Sequence, residues 1–303
     1  MDLVGWCFRA AQPKRKYLLL DFNLKPLSNE PFDEANRIGQ DGFILVEKNK
    51  KKGVIANGGK YLLPLVYNDV FIIQRLGITH FLTAKNGQYK LIDKEGNIAF
   101  DYGAYQSVKL SNENKKLIVK RNSQMGVLNS FGEEEVPVKY DTLFEDFQFY
   151  FGKKKGAYDI YKKGGKLVKT IFYDSLSVMY NSYLVTKNNR KGVLNGIFEE
   201  VTPLDLDTAF FYSVKNKAGY MIKRGNKWGI INDKNEIILP VVYDLIAGIS
   251  REYLILKQNN KYGLYSKSKE TIRLDCIYDM IAQKGYNQEI FICIKGTEAV
   301  VVE

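Results

Sequence analysis

One block of about 36 residues recurs along this 303-residue chain, and a chain built that way must fold by stacking one small unit on the next. The clearest copies are NKWGIINDKNEIILPVVYDLI from Asn226 and NKYGLYSKSKETIRLDCIYDMI from Asn260. KKGVIANGGKYLLPLVYNDV from Lys51, SQMGVLNSFGEEEVPVKYDTL from Ser123 and RKGVLNGIFEEVTPLDLDTAF from Arg190 are further copies, and QYKLIDKEGNIAFDYGAYQSV from Gln88 is a degraded one. A glycine marks the register at Gly53, Gly126, Gly156, Gly192, Gly229 and Gly263, with Lys90 standing in once and Leu18 in a weaker first copy. Successive intervals are 35, 37, 36, 30, 36, 37 and 34 residues. About fourteen residues after each slot comes an aromatic followed by a small polar or acidic residue. These pairs are Phe32-Asp33, Tyr67-Asn68, Tyr105-Gln106, Tyr140-Asp141, Tyr173-Asp174, Tyr243-Asp244 and Tyr278-Asp279, with Leu206-Asp207 as the departure.

Within a copy the hydrophobic period is two. A run ending in Lys and Asn (GFILVEKN, NSYLVTKN, EYLILKQN) is followed by a polar turn and a second run (GVIAN, GIIND, GLYS). A third run (YLLPLV, IILPVV) follows, and the aromatic-acid pair opens a fourth (DVFIIQ, YDLIAG). Such short runs, rich in β-branched and aromatic residues and bounded by turn formers, are strands. Asn57-Gly58 and Asn86-Gly87 are strong hairpin signals. Nothing has the period of an amphipathic helix, so the expected fold is all-β, made of antiparallel repeats.

These residues resemble the WG, or KWG, repeat, a bacterial β repeat. Lys227-Trp228-Gly229 is the full match and Tyr262-Gly263 a near one, and Pro240 with Tyr243-Asp244 and Pro137 with Tyr140-Asp141 fit the same pattern. Most other copies carry Lys, Met or Arg-Lys in place of the tryptophan. The resemblance covers the chain from about residue 15 to about 300, and it implies a repeat scaffold with no catalytic residues. The motif residues Gly53, Gly126, Gly192, Trp228, Gly229, Gly263, Tyr140, Asp141, Tyr243, Asp244, Tyr278 and Asp279 are expected to be structural, because they recur in copy after copy. The glycine lets a backbone or ring approach closely, while the pair packs its ring inward and lends its carboxylate to turn amides.

The whole chain, 1–303, is expected to be a single array. Its copies start near 1, 42, 80, 115, 147, 182, 219 and 252, with a partial last copy at 289–303. Four short strands per copy is the pattern of a propeller blade, so a propeller-like ring is expected. The strands left over at the C-terminal end argue for the alternative, an open superhelical β-solenoid.

Composition starves most chemistry. The only histidine, His80, has no nucleophile motif near it and is expected in a turn or at a strand edge. Cys7, Cys276 and Cys293 form neither a C-x-x-C pair nor a secreted disulfide framework. The Gly-Gly-Lys triplets at 58–60 and 164–166 are followed by Tyr61 and Leu167 where a phosphate loop needs Ser or Thr. Asp93-Lys94-Glu95-Gly96 reads as a turn, and so does the acidic run Glu133, Glu134, Glu135. No enzyme, cofactor or metal is expected. Acidic Asp2 stands where a signal peptide would be basic, and no window is apolar for long enough to span a membrane. The expected setting is cytoplasmic, without membrane insertion.

The 45 Lys+Arg against 34 Asp+Glu give a formal charge of +11, and the excess has a place. Lys50, Lys51 and Lys52; Lys120 and Arg121; Lys153, Lys154 and Lys155; Lys187, Arg190 and Lys191; and Lys223, Arg224 and Lys227 all fall at the turn between the first two runs of their copies. Equivalent turns of stacked units share an edge, so a basic rim is expected, with the aromatic-acid carboxylates at a different level and no aromatics interleaved. Such a rim either solvates strand edges or meets an anion. The resulting expectation is a scaffold that binds another protein with an acidic surface, as a regulatory or neutralising partner. A polyanion, nucleic acid or acidic glycan, is the alternative.

Overall fold

The computed structural model describes residues 7–10, 16–20, 25–26, 31–38, 41–56, 59–75, 78–111, 116–129, 132–214, 217–285 and 289–302. Asn57-Gly58 lies outside them. Every regular element among the described residues is a β-strand, and every ladder is antiparallel. The chain divides into two compact units, 1–171 and 172–303. The first holds a two-stranded ladder at 7–19 and four four-stranded sheets, which we call sheets I (34–67), II (69–101), III (107–140) and IV (142–171). The second holds sheets V (175–195, three strands), VI (208–243), VII (245–278) and VIII (280–302, three strands).

Each sheet is a meander, its strands paired in chain order. In sheet VI the strands are Thr208–Val214, Lys217–Arg224, Lys227–Asn232 and Ile237–Tyr243. Its second and third strands are joined by Gly225 and Asn226, both at positive φ. The same pair of left-handed residues recurs at Asn49-Lys50, Asn86-Gly87, Asn122-Ser123, Lys155-Gly156, Asn188-Asn189 and Asn259-Asn260. Two left-handed residues match the twist of the flanking strands, and asparagine adopts that conformation more readily than most residues. That explains why the first run of so many copies ends in Asn.

The sheets are phased one strand away from the sequence copies. The run after each aromatic-acid pair, last in its copy, is the first strand of the next sheet. Hence a copy spans two sheets and ties them covalently. Within each unit, alternating side chains fill the space between successive sheets. In the first unit Val54 and Leu63 pack with Val70, Phe81 and Ile92, and farther on Val127 and Tyr140 pack with Leu143 and Tyr150. In the second, Val193 and Leu206 pack with Tyr220 and Ile222, and Ile230 and Leu239 with Ile246 and Leu254.

The motif glycine lies under a bulge of the fourth strand. Around Gly229 the ladder jumps from Trp228↔Tyr243 to Ile230↔Leu239, so extra residues of the fourth strand cross the glycine. A Cβ on Gly229 would come within 2.8 Å of Leu239 O, one on Gly53 within 2.7 Å of Leu63 O, and one on Gly126 within 2.7 Å of Val136 O. At Gly53 the close neighbours are all backbone, while at Gly126 and Gly229 a valine methyl, of Val138 and Val241, lies as close, at 2.7 Å. Pro64 and Pro240 sit in these bulges, where the ladder asks for no N–H.

Two expectations change. Gly156 is not the slot residue of its copy but a turn residue at positive φ. The strand position that Gly126 and Gly229 occupy is held there by Asp159, and a glycine faces it across the ladder, Gly152↔Asp159. With Asp159 as the marker, both neighbouring intervals become 33 residues. His80 is not in a turn or at an edge: it lies within the inner strand Ile78–Lys85, 7% exposed, with Nδ1 3.2 Å from Ile78 O.

Candidate interaction surface

The turn between second and third strands is where the aromatic-acid pair converges with the lysines. The second residue of the pair donates its backbone N–H to the second strand of the sheet it opens: Asp33 to Glu47, Asp141 to Lys153, Asp174 to Thr186, Asp207 to Lys223, Asp244 to Lys257 and Asp279 to Ile294, at 2.7–2.9 Å. Its side chain then reaches the turn. Asp33 Oδ2 accepts the N–H of Asn49 at 2.7 Å, Asp174 Oδ2 that of Asn188 at 2.7 Å, and Asp244 Oδ2 that of Asn259 at 3.0 Å. Asp279 Oδ2 accepts the N–H of Gly296 at 2.8 Å, and Asn68 and Gln106 do the same with amide oxygens. The carboxylates thus lie at the level of the basic turns, not at a different one. A pair fourteen residues downstream in sequence opens the next meander, whose own hairpin returns to the same edge.

The other carboxylate oxygen takes a lysine from the preceding sheet or ladder. Asp33 pairs with Lys16 at 3.5 Å, and Asp244 and Asp279 accept from the ammonium groups of Lys227 and Lys261. Lys52 reaches Asp69, the residue after the pair, at 2.6 Å. The Asn49 amide and the Lys16 charge hold the Asp33 carboxyl below the usual carboxylate range. The Lys227 ammonium does the same for Asp244, and the Gly296 amide with Lys261 for Asp279.

Aromatic rings are interleaved with the cations after all. Lys223 Nζ lies 5.6 Å from the Trp228 ring centre, Lys257 5.3 Å from Tyr262, and Lys153 5.1 Å from Tyr158. Each pair sits directly across the hairpin ladder, which sequence separation alone does not show. Arg121 lies over Tyr105 at 5.4 Å and pairs with Glu134 at 3.4 Å, and Arg224 Nε meets Asp205 at 3.0 Å.

Of the cations expected at the rim, Lys52, Arg121, Arg224 and Lys227 are therefore ion-paired, and Lys153 and Lys223 rest on rings. Lys50, Lys51, Lys120, Lys154 and Lys155 in the first unit make no ion pair among the described residues, nor do Lys187, Arg190 and Lys191 in the second. The acidic run does not converge either. Glu133 closes a turn with Asn129, Glu134 pairs with Arg121, and Glu135 pairs with Lys116 at 2.5 Å. Asp93 accepts the N–H groups of Glu95 and Asn97, the geometry of a turn. Among the described residues no three metal-ligating side chains cluster, and no helix is long and apolar enough to cross a membrane.

Residues 228–262 match the family model described as WG containing repeat. The chain carries a WG repeat. In it the tryptophan faces Tyr243 across the bulge and supports Lys223, while the glycine makes room for the fourth strand. No curated protein sequence matches the chain. Among solved structures, one titled as the eukaryotic initiation factor is 11% identical, with TM-score 0.37 over 96% of this chain and 89% of that one. Apo AztD from Citrobacter koseri is 11% identical, with TM-score 0.33 over 89% and 94%. Hsv2 from Kluyveromyces marxianus is 12% identical, with TM-score 0.31 over 82% and 98%. At such scores none of these lends the chain its shape or its function.

Proposed function

We propose that this WG-repeat scaffold is not an enzyme and works in the cytoplasm by binding another protein, one with an acidic surface, at the basic hairpin turns of its sheets. The observation that carries the reading is the division of the cations. The fold consumes some of them in ion pairs and ring contacts, yet Lys50, Lys51, Lys154, Lys155, Lys187, Arg190 and Lys191 remain unpaired among the described residues at the same turn position. Surface cations at and beside hairpin turns steer an acidic partner and speed its encounter without being needed for folding.

A second reading is a polyanion, nucleic acid or an acidic glycan, favoured by the rings of Trp228, Tyr262 and Tyr158 beneath the cations. Affinity capture with the native chain and with a Lys50/Lys51/Lys154/Lys155→Glu variant tests the first reading. A partner retained equally by both would sink it. Titration with heparin and with a single-stranded oligonucleotide over a range of salt tests the second, since charge-driven polymer binding weakens steeply as salt rises.

A further inference from the structure

Sheet V presents a different kind of surface at the end of its strands away from the basic turn. Its first and second strands, Ser175–Met179 and Ser182–Lys187, are joined through Tyr180 and Asn181. Tyr180 has φ 55 and is 82% exposed. A bulky side chain in the left-handed region is strained, and such strain persists only where something over-determines it. Phe198, in the turn after the third strand, shows how burial can offset it: φ is 65, but the ring is buried and stacked on Tyr183 at 4.8 Å. Tyr180 has no comparable return. Its ring touches half-buried Phe211 of sheet VI, centroids 4.9 Å apart, and otherwise faces solvent.

The turn after the third strand abuts this one, because a Cβ at Gly196 would stand 2.8 Å from Asn181 Oδ1. It presents Ile197, 67% exposed, and then Glu199 and Glu200, both exposed. Asn195 fixes that turn, its Oδ1 accepting the N–H groups of Ile197 and Glu199 and its Nδ2 donating to Glu199 Oε2. Two adjoining turns thus expose Tyr180, which rests on Phe211, and Ile197, with the carboxylates of Glu199 and Glu200 following Ile197 and Glu200 Oε1 accepting from the Tyr173 hydroxyl at 3.2 Å. From the Tyr180 turn to Glu199 is about two strand spacings, roughly 10 Å. A lysine or arginine next to an anchored apolar residue reaches that far.

We propose that this turn end of sheet V docks a short basic peptide segment, with an apolar side chain on Tyr180, Ile197 and Phe211 and a neighbouring Lys or Arg facing Glu199 and Glu200. The platform is too small for a broad interface and fits one or two anchor residues. Its flanking charge also opposes that of a chain carrying +11 overall, so a basic segment is drawn here and repelled from the hairpin edge. This site is independent of the rim.

Selection of displayed random peptides on the full chain tests it, followed by titration of synthetic versions at physiological salt. The expected class combines an apolar residue with Lys or Arg within two or three positions. Tyr180→Asn is the informative variant, because asparagine adopts the left-handed conformation more readily. It should leave thermal stability unchanged or raised while weakening these peptides at least about tenfold. Glu199→Gln keeps an acceptor for Asn195 and should weaken them less, with a flatter salt dependence. Acidic peptides from the same selection should be unaffected by Tyr180→Asn and lost with the lysine-to-glutamate variant, which keeps the two sites distinguishable. Failure to enrich a basic-apolar class, equal binding by Tyr180→Asn, or a wild-type dimer that Tyr180→Asn dissociates would each overturn the proposal.

Discussion

Lys227 and Asp244 join sheet VI to sheet VII: the ammonium on the third strand of one donates to Oδ1 of the residue that opens the other. Asp244 Oδ2 meanwhile accepts the Asn259 N–H within its own sheet, so one carboxylate fixes a hairpin and an inter-sheet contact together. Asp279 repeats the arrangement with Lys261 and Gly296, and Asp33 with Lys16 and Asn49. Because the groups are exposed, the ion pair itself contributes modestly, and the turn amide is the more important partner. Asp244→Asn keeps that acceptor and should be mild, while Asp244→Ala should lower the urea midpoint at unchanged m-value. Equal midpoints for the two variants would assign the stabilisation to the ion pair instead.

Acid should loosen these joints within a defined window. The carboxyls of Asp33, Asp244 and Asp279 are held below their ordinary value of 3.8 in the folded chain. A depressed folded pKa means that the stabilisation is complete above the unfolded value and is lost as pH falls through the folded one. Urea midpoints should therefore stay flat from neutral pH down to about 5 and drop below about 4. The triple Asp→Asn variant at these positions should drop less, and a parallel fall in both proteins would place the acid sensitivity elsewhere.

Gly229→Ala and Gly53→Ala put a methyl group against the carbonyl of the bulged strand, at 2.8 Å from Leu239 O and 2.7 Å from Leu63 O. Each should cost about 1–3 kcal/mol, the range for overpacking. Gly248→Ala is the matched control, since nothing lies within 4 Å of its Cβ position. Denaturant melts of the three variants would settle the glycine's role.

Strands, turns and repeat length were legible because each has a local cause: alternation, Asn in the left-handed turn, and a glycine under a bulge. Sheet phase was not. A motif repeat has no natural starting point, and only the ladders show that Tyr243-Asp244 closes one sheet and opens the next. Gly156 misled because the copy around it solves the same steric problem in another way. There Asp159 fills the glycine slot, Gly152 yields space across the ladder, and the Tyr140 ring lies over Gly152. The rim was legible as a set of lysines, but its neutralisation was not, because Lys227 and Asp244 are seventeen residues apart and meet only through the fold. The Tyr180 platform carries no periodic signal at all.

That substituted copy can be tested directly. Tyr140 is buried, and its hydroxyl lies 2.8 Å from Asp159 Oδ2 and 2.6 Å from the Tyr161 hydroxyl. Burial, then these two neighbours, push the phenol pKa upward, so it remains a donor at any physiological pH. Tyr140→Phe removes the donor and leaves Asp159 with Thr170 and Lys139. A loss of about 1.5–3 kcal/mol is expected for a hydrogen bond to a charged group. Asp159→Asn in the Tyr140→Phe background should then add little, and full additivity of the two changes would show that they do not act as a pair.

The rim prediction separates lysines that the fold uses from those it does not. Lys50, Lys51, Lys154 and Lys155 make no ion pair among the described residues, whereas Lys52 and Lys227 hold Asp69 and Asp244. Reversing the first four to glutamate lowers the formal charge from +11 to +3. Stability should change by no more than about 0.5 kcal/mol per site, as for other surface substitutions, with the half-buried Lys51 and Lys154 at the upper end. Reversing Lys52 and Lys227 moves the charge half as far, yet it sets glutamate against aspartate at two inter-sheet joints and should lower the urea midpoint more. Binding should follow the opposite order: association with an acidic partner should slow sharply in the fourfold variant and only slightly in the double one, with the wild-type on-rate itself falling as salt rises. Stopped-flow association and urea melts on the same two proteins decide the matter. If the fourfold variant unfolds, or if it keeps the wild-type on-rate at low salt, the unpaired lysines serve the fold or its solubility, and the partner docks away from the hairpin edge.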